Sequence, residues 1–495
     1  MTAPKQISSP NQPMQAAEEF MTTKTHTDGW PTLCRWRGGW WSWDGVTWAE
    51  KDAEAVRNEL YRYAKDKVYM VGDEAKPWSP DKRKIANLME ALTSVCDLPA
   101  EIEQPSWLDK DRKTGTIVPC RNGLLDMSSG YLLDPTPAYF NTVATPFDFD
   151  GDAPEPRLWF DFLDSLWPDK PMSKEALQQW FGYVVSGRTD LQKMLLMVGA
   201  KRGGKGTILR VMSAMVGGSV YGAAAADLVG TFGLQSAVGK SLMTLVDARF
   251  DSRSGTAVVE RLLKISGEDE MAINRKGRGF WHGRLQTRIV VASNETLELE
   301  DASGAIVDRF IPLRLKRSWS GREDLTLGAR LEKELPGIFN WALDGLDQLT
   351  ERGRFTVPED AEEVHRIMSA MSSAVGLFVC EMCHVGIDDL TVKTIDLYDA
   401  YVRWTHRHNV KTLSHAVFGK KLYAACPDVK RHQPRDPETD KVVEKYAGIT
   451  LRDTPSNTGT RSPVPMSGQR ESERERVLPL PTRADHAEPR AQDDR

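Results

Sequence analysis

Met194-Leu195-Leu196-Met197-Val198-Gly199-Ala200-Lys201-Arg202-Gly203-Gly204-Lys205-Gly206-Thr207-Ile208-Leu209 is the stretch on which the reading of the fold turns. An apolar run closed by Gly199 predicts a buried strand, and Ile208, Val211, Met212 and Met215 then recur at helical spacing. The local order is strand, glycine loop, helix. Such a turn aims backbone N–H groups and the positive end of the next helix at one spot, where a phosphate can sit. Gly199 to Gly204-Lys205 has the G-x-x-x-x-G-K spacing of a P-loop. Gly203 and Gly204 let the backbone double back, and Lys205 supplies charge for the β and γ phosphates of ATP. Gly206 stands where the pattern has a hydroxyl for Mg2+, so the first hydroxyl is that of Thr207.

Downstream, Leu242 to Val246 predicts a second buried strand that ends at Asp247, from where an acid holds Mg2+ or its water. Ala248 follows where many ATPases carry Glu, which leaves Asp247 itself and Asp251 as candidate general bases. After a helix over 257–265 comes a basic segment with Arg275, Lys276, Arg278, Arg284 and Arg288 around Phe280 and Trp281. Cations for phosphates and rings for bases suit a loop that tracks a nucleic-acid strand; a solvated charged hairpin has the same composition. A third strand, 288–293, delivers Asn294, whose amide either orients an attacking water or satisfies loop backbone. Arg309 precedes a fourth strand and suits an arginine finger reaching a neighbouring subunit, or a salt bridge.

In this order, the glycine loop, Asp247, the Leu263 to Asp269 run with Arg275-Lys276, Ser293-Asn294 and Asp308-Arg309-Phe310 resemble the superfamily-three helicases, specifically the phage and poxvirus primase-helicase family. Asn122-Gly123-Leu124-Leu125-Asp126, Pro146-Phe147-Asp148 and Trp180-Phe181-Gly182-Tyr183 extend the resemblance upstream. It implies an α/β P-loop NTPase with an AAA+-like core, a helical collar and a C-terminal winged-helix module. The implied activity is ATP hydrolysis with Mg2+, driving translocation on DNA and duplex unwinding in the replication of a phage or mobile element. A homo-hexameric ring is implied too, with other replication proteins as partners; primer synthesis belongs to the family's repertoire, but no primase site is found in this sequence, which points to a separate primase chain. The expected nucleotide-binding residues are Gly199, Gly203, Gly204, Lys205, Gly206 and Thr207. Lys205, Asp247, Asn294 and Arg309 are the expected catalytic residues, Asp247 and Thr207 the metal ligands, and Arg275, Lys276 and Arg278 the DNA contacts.

The remaining chain bounds these expectations. With 495 residues, 40% hydrophobic and 27% charged, it has the composition of a soluble protein of roughly two to four domains. A net charge of −5 means that any nucleic-acid site must be a local basic surface. No apolar run approaches the roughly 20 residues that span a bilayer, and Met1 to Phe20 has no apolar signal core, which predicts a cytoplasmic protein, in the host cytoplasm if phage-encoded. The six cysteines are scattered, as in a reducing compartment. Cys380-Glu381-Met382-Cys383-His384 matches a haem-attachment string but falls in a predicted helix, and no second ligand pair suits zinc.

Residues 1–28 read as a flexible leader and 29–100 as a small N-terminal region, with a tryptophan-rich hairpin turning at Asp44-Gly45. Its rings either form a small core or, beside Arg35 and Arg37, stack on bases. Residues 101–190 read as a helical collar, introduced by an acidic cluster at 147–152. That cluster fails the EF-hand pattern at Ala153 and Trp159 and lacks the histidine and third acid of a two-metal primase, so it reads as a solvated loop. The P-loop domain spans 191–350. Over 365–453, predicted helices at 375–385, 395–408 and 413–422 precede a basic hairpin at 429–449, with Lys420 and Lys421 as duplex contacts; a protein-interaction module is the alternative. Residues 454–495 read as a disordered tail. Two rivals stand beside the helicase: a nucleotide kinase, whose adenylate-kinase-like precedent also reads G-K-G-T, and a non-catalytic ATP-dependent origin-binding or loader protein.

Overall fold

Every residue from Met194 to Val198 is apolar, which suits a strand covered on both faces, and the computed structural model places it inside a five-stranded sheet. The structure describes residues 6–109, 111–112, 115–246, 255–297, 299, 305–371, 374–386, 390–408, 410, 412–435 and 442–452. The strands of this sheet are β1 (Met194–Gly199), β2 (Val220–Gly222), β3 (Leu242–Val246), β4 (Arg288–Ser293) and β5 (Phe310–Leu315), in the order β2-β3-β4-β1-β5 and all parallel. Strand β2 was not expected; with Val220-Tyr221-Gly222 it is too short for a pattern to register.

Side chains alternate between two cores, as the period of two requires. Leu195, Met197, Val290 and Leu313 face one layer with Trp159, Trp180, Phe181 and Ile208, while Met194, Leu196, Val291 and Leu245 face the other with Val258, Leu262 and Trp281. The helices involved are α1 (Arg157–Leu166), α2 (Pro171–Val185), α3 (Lys205–Met215), α4 (Gly255–Ser266) and α5 (Leu335–Arg352). Neither α1 nor α2 has a capping side chain of its own, because Pro156 and Lys170 precede them. Distant carboxylates do that work: Glu334 accepts from the Leu158 and Trp159 amides at 3.1 and 3.0 Å, and Glu359 from those of Met172 and Ser173 at 2.8 and 3.0 Å. Helices α2 and α5 touch backbone to backbone at Gly182, where an added Cβ would stand 2.5 Å from the Ala342 carbonyl oxygen.

The N-terminal part corrects two expectations. Residues 13–22 are not a leader but a helix that buries Ala16, Ala17 and Phe20 with Val56, Leu60, Ile85 and Leu88. Its polar Thr, Gln and Pro surroundings hid a short apolar stripe. Residues 101–140, expected within a helical collar, hold only short strands, so the helical part begins at Arg157. The tryptophan-rich stretch is a core: Trp36, Trp41 and Trp48 pack edge-on around Phe140, in a sheet ordered Trp48–Lys51, Gly39–Trp43, Leu33–Trp36, Asp97–Leu98.

Beyond α5, helix Ala361–Met371 lays Val364 and Met368 on the central sheet, so the next module has its own core only from Val375. Helices Ala374–Met382, Thr394–His408 and His415–Ala425 pack there with a three-stranded antiparallel sheet of Thr391–Lys393, Lys445–Ala447 and Lys430–His432. Cys383 opens a strand instead of continuing the helix to Val385. The tail at 454–495 lies outside the described residues, among which no helix is long and apolar enough to cross a membrane.

Two measurements check this packing. Gly182→Ala should lower stability by about 1–3 kcal/mol, read as a fall in the thermal midpoint, because neither helix backbone can yield to the new methyl. Burial pushes the Cys96 and Cys120 thiols up to about 12 and Cys426 to about 11, with Cys34 also well raised, whereas Cys380 is exposed. Brief iodoacetamide treatment at pH 8 should therefore modify Cys380 alone, and native-state labelling of Cys34 or Cys120 by peptide mass spectrometry would contradict the fold.

Candidate functional site

The loop between β1 and α3 reverses because two residues adopt left-handed backbone, Arg202 at φ +58° and Gly204 at φ +92°. A Cβ on Gly204 would also meet Leu166 Cδ2 at 2.9 Å and Phe162 Cζ at 3.3 Å, so glycine is required twice over. Helix α3 starts at Lys205, which brings the positive end of the helix to the loop. The Lys205 ammonium is buried and donates to the carbonyls of Gly199 at 2.5 Å and Ala200 at 2.9 Å, and to Asn294 Oδ1 at 3.1 Å. Asn294 arrives there by register: β4 lies parallel to β1 with Ser293 opposite Val198, so the next residue emerges beside Gly199.

A cleft of about 690 Å³ opens over this loop. Lys201 to Thr207, Arg210 and Asn294 form its floor, Leu158, Asp161, Phe162 and Ser165 of α1 one wall, and the segment from Trp319 to Leu327 the other. That segment is tied to the loop: the Trp319 amide donates to Arg202 O at 3.1 Å, Ser318 Oγ to Lys201 O at 2.8 Å, and Arg202 pairs with Glu323 at 3.4 Å. Backbone N–H groups of Glu323 and Gly321 hold the Glu323 carboxyl below its ordinary range. Arg202, Lys205, Arg210 and Arg322 with a helix N-terminus suit a polyphosphate, and Leu158, Phe162 and Leu327 suit a flat ring. Sequence reasoning missed Arg210, Arg322, Trp319 and the α1 wall. Chain folding recruits them from places without a local motif.

The other expected residues are distributed as follows. Thr207 lines the cleft. Asp247 and Asp251 lie outside the described residues; Val246, the last of β3, stands opposite Ala292. Arg309 is at the other end of the sheet, since Phe310 opposes Met194, about 20 Å of strand from the loop. Its guanidinium donates to the Gln192 carbonyl at 3.2 Å and Oε1 at 2.7 Å in its own chain. Strands Met271–Ile273 and Trp281–Gly283 form the basic hairpin, with Met271, Ile273 and Trp281 buried and Phe280 exposed just before the second strand. Lys276 is exposed, while Arg275 and Arg278 reach Glu50. Arg288 leaves this basic group: burial pushes its pKa down to about 10, and it donates to the carbonyls of Val184, Gly187 and Gln286. Lys420 is exposed and Lys421 half-buried on helix His415–Ala425. Asp148 pairs with Arg121 at 2.9 Å, and among the described residues no group of three His, Cys, Asp or Glu is placed to hold a metal.

Residues 20–168 match the family described as D5 N terminal like, and residues 197–309 match a family of unknown function, DUF5906. The chain is similar in fold to the A form apo structure of the NrS-1 C-terminal region, with 12% identity, a TM-score of 0.50, and coverage of 88% of this chain and 99% of that one. A second apo structure of that region gives 12% identity and a TM-score of 0.47, covering 89% and 99%. No curated protein matches.

The loop geometry makes its own prediction. Gly204→Ala puts a side chain into left-handed backbone, at about 1–2 kcal/mol, and against Phe162 and Leu166. The thermal midpoint should fall with it, and a midpoint equal to the parent's would contradict the left-handed turn.

Proposed function

We propose that the chain is an ATP-dependent DNA helicase acting in the replication of a phage or mobile element. The observation that carries this reading is the buried Lys205 ammonium, set in a glycine loop at a helix N-terminus with Asn294 at its side. In this reading the loop N–H groups and Lys205 hold the β and γ phosphates of ATP, and α1 with the Trp319 to Leu327 segment holds the nucleoside. The order β3-β4-β1 supports it, because it sets the Asn294 strand between the glycine-loop strand and the one that leads to Asp247. Asn294 orients the attacking water, and Asp247 or Asp251 takes its proton. Oxygen donors from Thr207 and Asp247 suit a hard cation such as Mg2+, which would neutralise charge developing on the phosphates.

Because Arg309 is remote from the cleft of its own chain, its catalytic role requires a neighbouring subunit, in keeping with a homo-hexameric ring. Arg275, Lys276 and Arg278 contact single-stranded DNA in that ring. The C-terminal module acts as a winged helix, with Lys420 and Lys421 on duplex phosphates. The match to the D5 N terminal like family supports a phage-type replication role, with primase activity supplied by another chain. Ala248 after Asp247 favours one rival, a loader that binds ATP without rapid turnover.

ATP turnover of the parent, beside that of Lys205→Ala, decides between them. The parent should hydrolyse ATP faster with single-stranded DNA present and unwind a forked duplex, and the variant should lose both activities by about 100-fold or more while staying folded. A parent that binds ATP without DNA-stimulated turnover would support the loader, and a variant with parental turnover would end the P-loop assignment.

A further inference from the structure

The basic hairpin does not stand free. Its base is fixed in the core through Met271, Ile273, Trp281 and Leu285, and its tip leans on the N-terminal region. There the guanidiniums of Arg275 and Arg278 converge on one carboxylate oxygen, Glu50 Oε1, at 2.9 and 2.8 Å, and Arg278 lies 3.9 Å from Asp52. Strand Trp48–Lys51 and the N-cap of the next helix supply these acids. Arg37 of the same region extends the contact, with its guanidinium 5.6 Å above the Trp281 ring and bound to Glu103 at 2.7 Å. Arg275 is left with 12% of its side chain exposed, whereas Lys276 and Phe280 face solvent.

Two guanidiniums on one anionic oxygen is also how arginines take a phosphate. We propose that Glu50 is a built-in competitor for the hairpin: it occupies Arg275 and Arg278 in the resting chain, and phosphates of a single DNA strand displace it. The inference rests on the reading of this hairpin as a DNA contact. Partly exposed ion pairs add little stability, so the lock is weak enough for a strand offering several phosphates to open. Lys276 and Phe280, already exposed, make the first contact, and transfer of Arg275 and Arg278 to the strand frees the hairpin tip from the N-terminal sheet. Strand binding and N-terminal docking are thereby mutually exclusive at these two arginines.

The test is anisotropy of a labelled oligo-dT on the full chain, as a function of salt. Glu50→Gln should bind about three- to tenfold more tightly than the parent at low salt, because no carboxylate then competes with the phosphates for the two arginines. Glu74→Gln removes the same charge from the N-terminal region at a residue paired with Lys76, and should bind like the parent. In an Arg275→Ala, Arg278→Ala background the gain from Glu50→Gln should vanish. If Glu50→Gln gains no more than Glu74→Gln while the double arginine variant binds weakly, the lock is refuted and the DNA role of the hairpin stands. If the double arginine variant and Lys276→Ala both bind like the parent, the hairpin is no DNA contact and the lock falls with it.

Discussion

A lysine ammonium withdrawn from water is costly unless polar groups replace its hydration, and much of this chain's architecture serves to replace it at Lys205. Two of the replacing groups, the Gly199 and Ala200 carbonyls, belong to the end of β1, and a third, the Asn294 amide oxygen, belongs to the end of β4. They converge because the two strands are parallel neighbours in a fixed register, which the apolar faces of both strands enforce. The left-handed turn at Arg202 and Gly204 then brings Lys205 back over the strand it follows.

The helical layer is part of this site and not a mere support. Helix α1 supplies a wall of the cleft, yet its own start lacks a cap and depends on Glu334 at the head of α5. Through α5 and the backbone contact at Gly182, α2 is tied to the same unit. The N-terminal region is connected at a second place, through Glu50 and Arg37 on the basic hairpin. The glycine loop follows β1 and the hairpin precedes β4, so both are anchored to one sheet.

The sheet was legible in the sequence because its four long strands are largely buried on both faces and read as mostly apolar runs, and they lie where they were expected. The glycine loop was legible because left-handed backbone favours glycine, which Gly204 supplies. What stayed hidden depends on contacts distant in the chain: the Glu334 and Glu359 caps, the docking of Arg275 and Arg278 on Glu50, and the Trp319 to Leu327 wall. Ala16, Ala17 and Phe20 were misread since a short stripe among Thr and Gln resembles a leader until it has a surface to cover. The strands between residues 97 and 140 were missed because most have two residues, below the length at which alternation can be seen.

A crystal structure of the chain with a non-hydrolysable ATP analogue and Mg2+ tests the central claim most directly. The account predicts β and γ phosphates among the N–H groups of Gly203 to Thr207, the Lys205 ammonium moved from the Gly199 and Ala200 carbonyls onto phosphate oxygens, and the base between α1 and Trp319. A triphosphate bound elsewhere, with Lys205 still on the two carbonyls, would contradict it.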